Sequence, residues 1–77
     1  MDERAAFRFA GRLVPASFAA FARHRAARLG LALERLEVEE AEARAVLRGP
    51  AWLLEAFALA ASLGPLDCLV TSAEREG

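Results

Sequence analysis

Two Gly-Pro pairs, Gly49-Pro50 and Gly64-Pro65, bracket the segment AWLLEAFALAASL, in which Glu55 is the only charge. Proline suits the first position of a helix, where its missing N–H costs nothing, and glycine suits the position just past the end. The bracketed residues are strong helix formers, so a helix between Pro50 and Leu63 is predicted. This helix constrains the chain more than any other feature. An ordinary surface helix keeps one apolar face and one charged face, and this one has almost no charged face to turn outward. It must be covered on more than one side.

The cover has to come from a small molecule of protein. Seventy-seven residues make one domain, residues 1–77, with a modest core. The ends, residues 1–6 and 72–77, read as frayed. Hydrophobic content of 56% against 27% charged excludes compositional disorder. A single cysteine, Cys68, excludes an internal disulfide and a zinc cluster. Cys68 lies in an apolar run and reads as an inert buried thiol. The start, MDERAAF, has neither the basic region nor the apolar core of a secretory signal, and no apolar run is long enough for a membrane span. The expected location is cytoplasmic, with no membrane contact. All ten basic residues are arginine, and lysine, isoleucine, asparagine, glutamine and tyrosine are absent. That bias is expected of a GC-rich bacterial genome with thermophile-like avoidance of amides.

The rest of the chain divides into recognisable segments. Phe7 to Leu13 alternates, with Phe7, Phe9, Gly11 and Leu13 on one side and Arg8 and Arg12 on the other, which predicts a half-buried strand. Ser17 reads as the N-cap of a helix to Leu29, with Phe18, Ala22, Ala26 and Leu29 on its apolar face and Gly30 ending it. Leu66 to Thr71 reads as a last strand. Residues 31–48 are ambiguous. Leu36 to Glu39 and Ala41 to Ala45 alternate as the two arms of a hairpin turning near Glu39–Ala41, yet Ala, Leu, Glu and Arg favour helix. The hairpin gives βαββαβ, an α/β sandwich with a four-stranded antiparallel sheet and two helices on one face. The helical alternative gives a small all-α bundle.

With those elements in place, the sequence resembles the acylphosphatase family over residues 7–73. Family members read Gly-Arg-Val-Gln-Gly-Val-x-Phe-Arg at the first strand and loop, where this chain has GRLVPASFA. Ala26 and Gly30-Leu31 match the family's next anchors. Gly30 to Gly49-Pro50 and Gly64-Pro65 keep its spacing without a gap. The resemblance favours the hairpin and implies a ferredoxin-like fold. It also implies hydrolysis of acyl phosphates without metal or cofactor. A glycine loop would hold the phosphate through backbone N–H groups, one arginine would bind its oxygens, and one asparagine would position the water.

The sequence departs at those places. The arginine position is Ala19, the asparagine position by gapless counting is Glu37, and the loop glycines are Pro15 and Ser17. Ala19 removes a cation that stabilises the transferring group. Glu37 sets an anion beside an anion. Pro15 deletes a donor and stiffens the loop. Gapless counting also puts Arg35 at a core valine position, whereas the alternation wants Leu36 and Val38 inward, so a one-residue shift there would flip the faces. The expectation is no catalytic residues, with weak or rescued acyl phosphate hydrolysis as the alternative.

Two surfaces stand out instead. Trp52, Leu59 and Leu63, at outer positions where the family is mostly charged, line one side of the second helix with Ala56 between them and predict an interface, either self-association or a protein partner through residues 50–63. Arg8, Arg12, Arg44 and Arg48 fall on the sheet face away from the helices and make a candidate anion face. RNA is disfavoured there because Phe7 and Phe9 point the other way and supply no stacking platform. A lattice of Arg–Glu pairs involving Glu42 is the plainer expectation. His24 has no second ligand near it, so no metal site is expected.

Overall fold

The computed structural model describes residues 2–76 and has the element order β1 (Asp2–Arg12), α1 (Pro15–Arg28), β2 (Ala32–Val38), β3 (Glu42–Pro50), α2 (Ala51–Leu63) and β4 (Leu69–Glu76). The strands form one antiparallel sheet in the order β2-β3-β1-β4. Both helices pack on one face of it, giving the ferredoxin-like sandwich. Residues 31–48 are therefore a hairpin and not a helix, and the all-α alternative falls. Local propensity loses because only the strand arrangement buries Ala43, Ala45 and Leu47 on one face while Arg44 and Arg48 stay wet. The turn lies where the alternation breaks, closed by the Glu39 N–H donating to the Glu42 carbonyl at 2.8 Å.

The core lies between the sheet and the helices. Phe9, Phe18, Phe57, Leu47 and Leu54 are fully buried. Phe9 joins the layers, its ring 5.7 Å from Phe18 of α1 and 6.5 Å from Phe57 of α2, the latter edge-on. Small residues (Ala22, Ala26 and Ala61) fill the remaining helix positions against the sheet and let the backbones approach.

The helix boundaries differ in detail from the sequence reading. α1 opens at Pro15 with Val14 as N-cap and no side-chain cap; Ser17 lies inside the first turn. Its end is as expected. Gly30 adopts φ 70°, and the Gly30 and Leu31 N–H groups donate to the Ala27 and Ala26 carbonyls at 3.1 and 2.9 Å. That is the Schellman arrangement, and it requires a residue that tolerates a left-handed backbone. Pro50 caps α2 from outside, one residue earlier than its predicted place at the first helical position.

The strands are longer than their sequence patterns. Residues 2–6 belong to β1, where Ala5 is buried, and residues 72–76 belong to β4, although both stretches read as frayed ends. Each is held by a neighbour far away in sequence: Asp2 lies opposite Pro50, and Ala6 opposite Glu76. β4 starts at Leu69, not Leu66. The Cys68 N–H donates to the Pro65 carbonyl at 3.0 Å, and the turn this closes delays the strand. Cys68 thus sits half-buried in a turn instead of buried in a strand.

β2 carries a bulge. Leu33 lies opposite Leu47 and Arg35 opposite Val46, so Glu34 is the extra residue. The bulge lets Leu33, Leu36 and Val38 all turn toward the core despite the odd step from 33 to 36. A second register shift lies between β1 and β4 at Ala10/Gly11, where Thr71 is extra.

Candidate functional site

α2 presents Trp52, Leu59 and Leu63 to solvent, exposed by 72%, 68% and 77%. Leu54, Phe57 and Ala61 occupy the opposite side of the helix, buried against the sheet. Counting about 100° per residue from Trp52, Ala56, Leu59 and Leu63 all fall within about 40° of it. They form the single stripe that the spacing predicts. Ala56 is half-buried because it borders the groove between the helices. That groove, of about 440 Å³, is lined by Phe21 and Arg25 of α1 and by Ala56, Leu59, Ala60 and Leu63 of α2. The Arg25 guanidinium sits 5.6 Å from the centre of the Phe21 ring, in cation–π range. The stripe and the groove are thus one continuous, largely apolar surface across the helical layer.

The open sheet face is different in kind. Arg8 lies opposite Arg44 and Arg4 opposite Arg48 on the two central strands. Like charges so placed repel unless neutralised, and each has a carboxylate. Glu34 reaches both Arg4 (2.8 Å) and Arg48 (3.2 Å), Arg8 pairs with Glu42, and Arg44 pairs with Glu76 at 2.8 Å. The hydrogen bond and charge of Glu76 raise the Arg44 pKa above its ordinary value. Glu34 is the bulge residue, and the bulge is what lets one carboxylate serve two arginines. Of the four arginines predicted to line this face, Arg8, Arg44 and Arg48 lie together. Arg12 lies at the far end of β1, opposite Leu69. Arg4 completes the set and was missed; extending the i, i+4 spacing of Arg8 and Arg12 back by one step would have found it.

At the β1–α1 junction only Leu13 and Val14 separate strand from helix. Their N–H groups are both engaged, Leu13 with the Glu40 carbonyl at 2.8 Å and Val14 with the Cys68 sulfur at 3.3 Å. Pro15 has no N–H to offer. Ser17 donates its hydroxyl to Asp67 at 2.7 Å, so a carboxylate of the chain itself lies beside the opening turn of α1, where the helix dipole favours negative charge. Ala19 is half-buried on α1. Glu37 is not near it. Glu37 lies opposite Arg44 on the open sheet face, with the sheet between it and the helices. Val14, Leu66 and Leu69 around this junction are exposed apolar residues that the sequence reading did not single out; they belong to no periodic stripe, and only the fold brings their segments together. Among the described residues no cluster of three or more His, Cys, Asp or Glu could hold a metal ion, and no helix is long and apolar enough to cross a membrane.

The βαββαβ order, antiparallel sheet and one-sided helices define the class as a ferredoxin-like α/β sandwich. Within that class the fold is acylphosphatase-like. An acylphosphatase from Coxiella burnetii superposes with a TM-score of 0.86 at 16% identity, covering 97% of this chain and 79% of that one. An acylphosphatase from Bacillus subtilis gives a TM-score of 0.85 at 21% identity, covering 99% of this chain and 83% of that one. No family model and no curated protein matches the sequence.

Proposed function

We propose that the chain is a non-catalytic association module built on an acylphosphatase-like fold, with α2 as its contact surface and a second copy of the chain as the simplest partner. The observation that carries this reading is the exposure of Trp52, Leu59 and Leu63 in one stripe. Burial of each would contribute roughly 1.5–3 kcal/mol before the costs of association. Tryptophan is the residue most enriched at association hot spots. Light scattering of the intact protein against Trp52→Glu tests the reading. A complex in the first and a monomer in the second supports it, and a monomer in both removes it.

The loss of catalysis rests on the loop. An acylphosphatase needs free backbone donors, a cation and a water-positioning amide there, and in this chain the Leu13 and Val14 N–H groups are taken by Glu40 and Cys68 while Pro15 has none to give. It has Ala19 in the place of the arginine and contains no asparagine. In the family the core valine precedes the asparagine by two residues. Leu36 and Val38 are the inward pair here, so Val38 is a better counterpart of the asparagine than Glu37. Asp67 adds a negative charge beside the helix start, which disfavours a phosphate.

The closeness of the fold to two acylphosphatases keeps residual acyl phosphate hydrolysis as a second reading. Turnover of an aryl acyl phosphate that is lost on Arg12→Ala would establish it. Ala19→Arg combined with Val38→Asn raises turnover only if the loop still accepts a phosphate.

A further inference from the structure

The helical layer carries charges in a pattern that specifies how a second copy would sit. α1 holds Arg23, Arg25 and Arg28 and no acid; α2 holds Glu55 and no base. Neither Arg25 nor Glu55 forms an ion pair among the described residues. Arg25 borders the groove that Ala56, Leu59, Ala60 and Leu63 line, so it flanks the apolar stripe on the α1 side. Glu55 belongs to the same turn as Ala56. It lies about 60° from Trp52 around the helix, on the flank away from Ala60, which lies about 80° the other way. The stripe therefore has a positive border on one flank and a negative border on the other.

We propose that the α2 surface is occupied by a second copy of this chain, related by a two-fold axis running along α2, so that Glu55 of each copy meets Arg25 of the other. This rests on the association reading above and goes beyond it by fixing the partner and its orientation. A two-fold pairing of one surface with itself must bring every patch onto its symmetry mate's surroundings. An axis along α2 exchanges the two flanks: stripe covers stripe, and each positive border falls on a negative one. An axis across α2 leaves each flank on its own copy. It sets α1 over α1, with Arg25 and Arg28 against their counterparts and no acid in either helix to offset them. Complementary borders select the first arrangement and oppose the second.

The test is a charge exchange read by dilution-dependent sedimentation and light scattering, with circular dichroism confirming the fold of each variant. Glu55→Arg and Arg25→Glu are each expected to weaken self-association by about tenfold or more, since each sets like charges face to face. The double variant, carrying both changes, is expected to return to within about threefold of the original, and an equimolar mixture of the two single variants to form a heterodimer tighter than either homodimer. An Arg25→Glu variant that associates as well as the original, or a double variant that stays weak, overturns the orientation. Association abolished by Trp52→Glu while the charge series leaves it unmoved sinks this proposal and spares the association reading. A monomer throughout sinks both.

Discussion

The two broad faces of this molecule solve the same problem in opposite ways. The open sheet face pairs four arginines of its central strands, Arg4, Arg8, Arg44 and Arg48, with carboxylates of the same chain. The helical face sets a tryptophan and two leucines in water, and nothing among the described residues covers them. A basic patch in the sequence becomes a closed lattice, whereas an apolar helix becomes an open surface. Arginine count alone is thus a poor guide to anion binding here. What decides is whether the fold delivers a carboxylate across the strand, and Glu34, Glu42 and Glu76 are so delivered.

The comparison can be broken, and the hardest blow falls on the helical side. Trp52→Glu is expected to cost association about 2 kcal/mol or more, as a hot-spot truncation does, while the melting temperature of the isolated monomer stays unchanged. A fall in monomer stability of the same size would mean that the indole serves its own fold. Next comes Gly11→Ala in the sheet. Gly11 has φ 153° and its position faces the Leu69 carbonyl so closely that a Cβ would strike it. Urea unfolding should show a loss of roughly 1–3 kcal/mol, the usual cost of overpacking, with association retained. Smaller still is Glu34→Ala, which leaves Arg4 and Arg48 without their shared partner. The arginines are about half exposed and Glu34 about a third, so the loss should be about 1 kcal/mol or less and should shrink as salt is added. A loss that ignores salt would mean that the bulge, not the charge, was the stabilising feature.

The smallest expected effect concerns pH. Because Glu76 raises the Arg44 pKa, the stabilisation linked to the Arg44 proton is present below arginine's ordinary value and fades as pH climbs beyond it. Thermal unfolding followed from about pH 6 to about pH 9 should show no slope from this arginine. A slope removed by Arg44→Met would contradict the pairing.

Much of the fold is legible in the sequence. The helix ends at Gly30 and Gly64, the inward set Phe7, Phe9 and Leu13, and the stripe on α2 all follow from local periodicity and backbone chemistry. The hairpin was legible only through spacing between distant anchors, because Ala, Leu, Glu and Arg pull toward helix. The outer parts of β1 and β4 were not legible. A stretch such as SAERE has no inward apolar residue and becomes a strand only because β1 lies beside it. The candidate site divides along the same line. Trp52, Leu59 and Leu63 were legible because a helix imposes its own geometry. The outward side of Glu37 was legible in the alternation of Leu36 and Val38, whereas a gapless count of positions missed it, because a single bulge residue upstream reverses the face and leaves no mark in a helix-forming sequence.

The two bulges have one more consequence. β2 and β4 are the sheet's outer strands, and each is interrupted, at Glu34 and at Thr71. An interrupted ladder is a poor template for a newcomer's backbone. Stacking of molecules edge to edge into an endless ribbon is thereby discouraged at both margins. If the helical surface gathers copies, the assembly should stop at a finite number and stay dissolved.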